Sequence, residues 1–230
     1  MEAGQDQWAW TRVSSSPLRL PGCDRDGPVE ITSYTMHPDG RTVFVSAHAR
    51  GGGPGNTYAG TFSLDTGGEG DAARWTRQGE WLLPFQGQGH YDADLDAWVG
   101  LHSRGYLCTC DVPAPLADAR SGDDDDDNAP APPQPTWELV RADSLFYADP
   151  DPRRGDSAAS LVRMGSNGEF CLVESSLAKA EFVYAQLRLT RFRFERDRHG
   201  RPRASSRHGA ALSCKVRKFD SLFSPRAFCM

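Results

Sequence analysis

A chain of 230 residues can bury a sizeable core, and one domain is its natural count. Its composition, 38% hydrophobic and 25% charged, is that of a globular protein, and a formal charge of −5 carries no global nucleic-acid signature. The 23 glycines and 16 prolines favour many turns over long helices, and 6 Trp, 6 Tyr and 11 Phe suit strands.

Six cysteines stand at 23, 108, 110, 171, 214 and 229, with no Cys-x-x-Cys pair. The opening MEAGQDQWAW has neither the basic nor the apolar region of a secretory signal. No apolar run approaches the roughly 20 residues a membrane span needs. The expectation is an intracellular protein, cytoplasmic or nuclear, monomeric, with reduced thiols and no membrane contact.

Residues 8–22, WAWTRVSSSPLRLPG, echo residues 75–87, WTRQGEWLLPFQG, through Trp10-Thr11-Arg12 and Trp75-Thr76-Arg77. The chain thus opens on what reads as the last strand of a repeating unit. Residues 29–48 read as a hairpin, two alternating apolar runs around His37-Pro38-Asp39-Gly40, because Asp-Gly is a strong turn signal. The Gly-rich 51–56 is a loop. TYAGTFSLDT supplies a third strand ending at Asp65, and a fourth opens at Trp75.

A second unit repeats this order. GHYDADLDAWVGLH is its hairpin, with Asp92 to Asp96 as the turn and Trp98 in the following strand. Gly105 to Asp111 is its third strand, and Trp137 to Val140 its fourth. Between them, residues 112–136 form an acidic, Pro-rich insertion carrying Asp123 to Asp127, too charged to order itself around a core. A third unit holds the hairpin SLVRMGSNGEFCLVES, the long alternating strand FVYAQLRLTRFRFERD and a closing strand ALSCKVRKFD. Residues 174–181 are the one helix candidate, and 224–230 a loose tail.

Four-strand units recurring at roughly 45 to 65 residues predict an all-β, β-propeller-like domain over 1–230. It would have three to four four-stranded antiparallel blades, incomplete or open because only three units are visible. Asp65 and Asp111 are expected as strand-end turn residues, Trp75 and Trp137 as packing between blades, and Trp98 as a further structural residue of the second blade.

The string FSLDT…W…EWLLPFQGQGHYDADLDAWVGL…GYLCTCDV…W resembles kelch-type and F-box-associated propeller sequences of plants, in particular an uncharacterised group from grasses. The resemblance covers about 29–175. It implies a propeller and an adaptor or substrate-receptor role. The Gly-Gly doublet of kelch blades is absent at its expected place, and no F-box helices precede the units.

Chemistry-bearing candidates are few. Cys108-x-Cys110 would put both thiols on one strand face, where small buried hydrophobes are the preferred reading over a metal site. His90 with Asp92, Asp94 and Asp96 resembles part of a calcium loop but lacks its Gly and terminal Glu, so a capped turn is preferred. No nucleophile elbow, P-loop or His-Glu-x-x-His occurs. No catalytic, cofactor or metal residue is therefore assigned, and no enzyme activity is expected. The basic stretch 188–218 includes Arg188, Arg191, Arg193, Arg196, Arg198, Arg201 and Arg203, with Phe192 and Phe194 interleaved. It could contact nucleic acid or an acidic partner; its bland reading is a solvated hairpin whose arginine stems cover the core rim. The leading expectation is a non-catalytic protein-interaction scaffold with a protein partner. Nucleic acid is the disfavoured partner, and binding of nucleic acid or an acidic partner through 188–218 is the competing function.

Overall fold

The structure, a computed structural model, describes residues 29–50, 57–67, 75–116, 133–140, 158–165, 168–177, 184–205 and 212–217. The expected opening strand at 8–22, the acid run at 123–127 and the tail at 224–230 lie outside them.

Among the described residues every regular element is a strand. The first meander holds β1 (Val29–Met36), β2 (Thr42–Arg50), β3 (Thr57–Asp65) and β4 (Trp75–Gly79), each antiparallel to the next. The second holds β5 (Gln86–Asp92), β6 (Ala97–Leu101), β7 (Leu107–Asp111) and β8 (Trp137–Leu139), paired in the same way. β9 (Ala158–Met164), β10 (Glu169–Leu177), β11 (Tyr184–Arg196) and β12 (Pro202–Ser205) form the third, and β13 (Leu212–Arg217) pairs with the first half of β11.

The expected β-propeller is overturned at the seam between the first two meanders. β1 and β5 pair in parallel, Ser33 opposite Gly87 and Tyr34 opposite Gln88. The eight strands therefore form one continuous sheet in the order β4-β3-β2-β1-β5-β6-β7-β8, curled into an open half-barrel beside a separate small sheet. Propeller blades are separate sheets arranged radially around a channel. The four-strand repeat seen in sequence reports hairpins, which any up-and-down sheet contains.

Turn chemistry drives the local structure. Asp39 Oδ1 accepts from the N–H groups of Arg41 (2.9 Å) and Thr42 (2.8 Å), and its Oδ2 accepts from the Thr42 hydroxyl (2.6 Å). Gly40 takes φ 74°, a region that a side chain resists. The helix candidate at 174–181 is corrected over its first half: Glu174–Leu177 end β10, with Glu174 opposite both Ala159 and Arg188, while 178–181 lie outside the described residues. Pairing on both edges overrides local helix preference.

Curling brings one face of the sheet onto itself. Phe44 of the first meander meets Trp98 of the second with ring centroids 5.0 Å apart, and Phe85, Cys108 and Cys110 complete that cluster. The Trp98 indole, 0% exposed, donates to Met36 O at 3.1 Å. The opposite face of the second meander packs on the small sheet, through Leu95, Val99 and Leu107 against Leu161, Phe170, Leu172, Phe192 and Phe194. Buried hydroxyls tie the β4–β5 connection down. Ser46 Oγ accepts from Leu83 N (2.9 Å) and lies 2.8 Å from Thr61 Oγ1, which donates to Trp81 O (2.7 Å).

Candidate interaction surface

Alternation along β11 sorts its side chains. Phe192 and Phe194 point into the core, 3% exposed, with centroids 5.3 Å apart and both rings against Phe170. Arg191 and Arg193 point outward to a shared partner, Glu169 on β10, at 2.8 and 3.3 Å. Hydrogen bonding from Arg191, then the neighbouring charge, holds the Glu169 carboxyl below its ordinary range.

The β11–β12 turn concentrates the rest. Asp197 Oδ1 accepts from the N–H groups of His199 (2.8 Å) and Arg201 (2.9 Å), and Oδ2 lies 3.6 Å from Arg201 Nε. These bonds, the Arg201 N–H foremost, lower its pKa. Gly200 closes the turn at φ 75°. Arg196 donates to two backbone carbonyls, Gly200 O at 2.9 Å and Leu95 O at 2.7 Å. It thereby clamps this turn to the β5–β6 turn, a residue 101 positions away in sequence. Its guanidinium is fixed in place by neutral acceptors, which orient the charge without cancelling it. Arg203 stands opposite Glu195 across the strand pair. Together Glu195, Arg196, Asp197, Arg198, His199 and Arg203 line a recess of about 490 Å³.

The expected basic residues therefore divide. Arg196, Arg198, Arg201 and Arg203 meet at the hairpin end, Arg191 and Arg193 lie on the outer face beside it, and Arg188 sits away from it, opposite Glu174 and Ser213. Phe192 and Phe194 are sealed in the core, so they are not available to stack on bases. Asp197, with Glu195, was legible in sequence as an acid within the basic stretch, and residues 198–201 as a turn; Glu169, on the neighbouring strand, was not singled out.

The remaining expected residues fall elsewhere. Asp65 ends β3, accepts from Gly67 N at 2.8 Å and lies 3.5 Å from Arg41. Asp111 ends β7, its N–H donating to Thr136 O at 2.9 Å. Trp75 packs with Val29, Ala47 and Phe62 inside its own meander rather than between repeats. Trp137 is 40% exposed on edge strand β8, stacked on His102 at 5.5 Å, again not between repeats. Trp98 joins the first two meanders, and Trp81 of the β4–β5 connection packs against the same cluster.

Asp92, 2% exposed, caps its own turn by accepting from Asp94 N and Leu95 N. Burial raises its pKa. His90 is 2.9 Å from Leu161 O through Nε2, and burial lowers its pKa. Among the described residues no three His, Cys, Asp or Glu side chains converge as metal ligands. Cys108 and Cys110 lie buried on one face, and burial pushes both thiols up to about 12. Among the described residues no helix is long and apolar enough to cross a membrane.

The class defined here is an all-β protein, a curled open sheet and a small sheet carrying a basic hairpin end. The model of one family, described as "Protein of unknown function (DUF1668)", matches residues 2–211, and the chain belongs to that family. No curated protein and no solved structure matches it. The expected plant kelch-like, F-box-associated propeller identity is thereby corrected: the family found is a different one, and the open curled sheet is not a ring of blades.

Proposed function

We propose that this protein is a non-catalytic interaction module that docks acidic segments of partner proteins on the β11–β12 end. One observation carries the reading: six arginines, Arg191, Arg193, Arg196, Arg198, Arg201 and Arg203, gather there against three carboxylates, Glu169, Glu195 and Asp197. On a chain of net charge −5 this is a local reversal of sign, which steers and orients an acidic partner. The hairpin rests on a packed aromatic core, so the charges are presented by a rigid support.

Full-length protein on a sensor surface, exposed to polyglutamate, tests the reading. Retention at low salt that fades toward about 0.5 M, where the screening length shrinks to a few ångströms, is the expected result. The charge-reversed Arg198→Glu/Arg203→Glu protein should lose it. Retention unchanged by that substitution would place docking elsewhere and sink the reading. Nucleic acid is the rival ligand for the same charges, and the burial of Phe192 and Phe194 removes the stacking platform that single strands use.

A further inference from the structure

We infer that β8 is a second docking site: it takes an extended segment of a partner protein as an added antiparallel strand, with apolar residues at two alternate positions and a basic residue between them. Among the described residues β8 has a neighbour on one side only, β7, and stands at the end of the curled sheet. Its hydrogen bonds show which backbone groups remain. Thr136 O accepts from Asp111 N at 2.9 Å, and Val140 N donates to Leu107 O at 2.9 Å. Backbone groups alternate in direction along an antiparallel ladder. Thr136, Glu138 and Val140 therefore turn theirs to β7, and Trp137 and Leu139 turn theirs to the open edge. An added strand pairs with those two residues.

The side chains define the ligand's chemistry. Trp137 stands opposite Cys110 and Leu139 opposite Cys108, so both lie on the face of the buried Phe44 and Trp98 cluster and extend it to the edge. Both are exposed, and Trp137 is held against His102 with the rings stacked 5.5 Å apart. Burial and then the charge of Arg104 lower the His102 pKa, and the same charge disfavours a basic residue on this face. The ligand residues opposite Trp137 and Leu139 are therefore apolar. Glu138 lies on the other face, opposite Thr109, and Asp111 shares that face two residues along β7. Both carboxylates are exposed, and the β7–β8 connection adds Asp123 to Asp127 to the local charge in sequence. The ligand residue between the two apolar ones falls opposite Glu138, where lysine or arginine is favoured. Two features narrow the partner further. Pro135, the next outward position, has no N–H to donate, so the pairing is short. A second copy of β8 using both outward residues would set Glu138 directly opposite its own copy, a like-charge pair that opposes self-pairing.

Fluorescence anisotropy with the full chain and labelled peptides tests this. The probe is a peptide of alternating valine and lysine. The same residues in two blocks, and oligolysine, should bind more weakly. N-methylation of the valine amides, which face β8, should abolish binding, and N-methylation of the lysine amides, which face away, should leave it. Trp137→Ala and Leu139→Pro should each lose the probe; the second removes an outward N–H at an edge, where proline is accepted. Glu138→Lys should weaken the probe about tenfold, the scale of exchanging an attractive cross-strand pair for a repulsive one. The same variant should gain affinity for alternating valine and glutamate over the native chain, a gain that misfolding would not produce. Equal binding of the blocked peptide, or of the two N-methylated peptides, overturns strand addition. Equal binding of oligolysine shows attraction by charge alone and overturns the docking edge. Binding that survives both Trp137→Ala and Leu139→Pro overturns its location on β8. Absence of probe binding overturns the proposal, and a dimer in light scattering that Leu139→Pro dissolves would then give the edge to a second copy.

Discussion

Phe85 lies across two glycines. A Cβ added at Gly89 would meet the Phe85 ring at 2.4 Å, and one added at Gly100 would meet it at 2.5 Å. Alanine at either site should cost about 1–3 kcal/mol by overpacking, read as a lower urea midpoint with the slope unchanged. The cysteines sort by burial. Alkylation followed by peptide mass mapping should modify exposed Cys214 in the native protein, and Cys108 and Cys110 only in denaturant, since thiols held near 12 form almost no thiolate at neutral pH.

His90 makes the opposite face, packed on the small sheet, sensitive to pH. Its folded pKa is lowered by burial and then by the charge of Arg163, so the folded state resists a proton that the unfolded chain accepts. Stability should fall as pH drops through about 6.5 and stop falling below the lowered folded value. Asp92 acts oppositely and lower on the scale. Its raised folded pKa means that the folded state gains protons first, so stability recovers somewhat between that value and about 3.9. His90→Gln, which keeps a donor for Leu161 O, should flatten the profile between about pH 7.5 and 5.5 in urea titrations. An unaltered profile would assign the pH dependence to other groups.

At the scale of elements, the β1–β2 hairpin depends on Asp39. Burial alone would raise its pKa, but the bonds from Thr42 and Arg41 outweigh it and hold the carboxyl far below its usual range. This contribution is present above about pH 3.9 and disappears only as pH falls through the much lower folded value. Asp39→Ala removes three hydrogen bonds at a largely exposed turn and should cost about 1–2 kcal/mol, measured by urea unfolding at neutral pH. The hairpin was legible in sequence because Asp-Gly and the flanking alternation act within a few residues. The strand at Glu174–Leu177 was not, because its backbone is settled by two neighbours distant in the chain, Ala158 and Ala159 on one edge and Arg188 to Ala185 on the other.

For the whole molecule, the small sheet packs its aromatic cluster against Leu95, Val99 and Leu107 of the curled sheet. Phe170, 0% exposed, touches Phe192 and Phe194 at 6.1 and 5.1 Å and His90 at 6.0 Å. Phe170→Ala should cost about 3–5 kcal/mol, with amide-exchange protection lost first in β9 to β12 and retained longer in β1 to β4. Simultaneous loss in both sheets would show one cooperative unit instead. The candidate site shares this logic. Its arginines were legible as a basic stretch, but their partners were not: Arg191 and Arg193 share Glu169 across a strand pair, Arg188 stands opposite Glu174, and Arg196 reaches a carbonyl in the β5–β6 turn.

The sequence by itself marked most of the strands, their turns and the three meanders, because side-chain alternation and turn residues act over a few positions; it missed β12 and the strand end at Glu174–Leu177, and it placed β13 where β12 stands. It also marked the hairpin end as basic. Only the tertiary structure decided that β1 meets β5 edge to edge, that Trp98 rather than Trp75 or Trp137 joins the first two meanders, and that Phe192 and Phe194 are core rather than contact residues. The reason is physical. Backbone edges are chemically alike from strand to strand, so which edges pair depends on how apolar faces far apart in the chain are buried together.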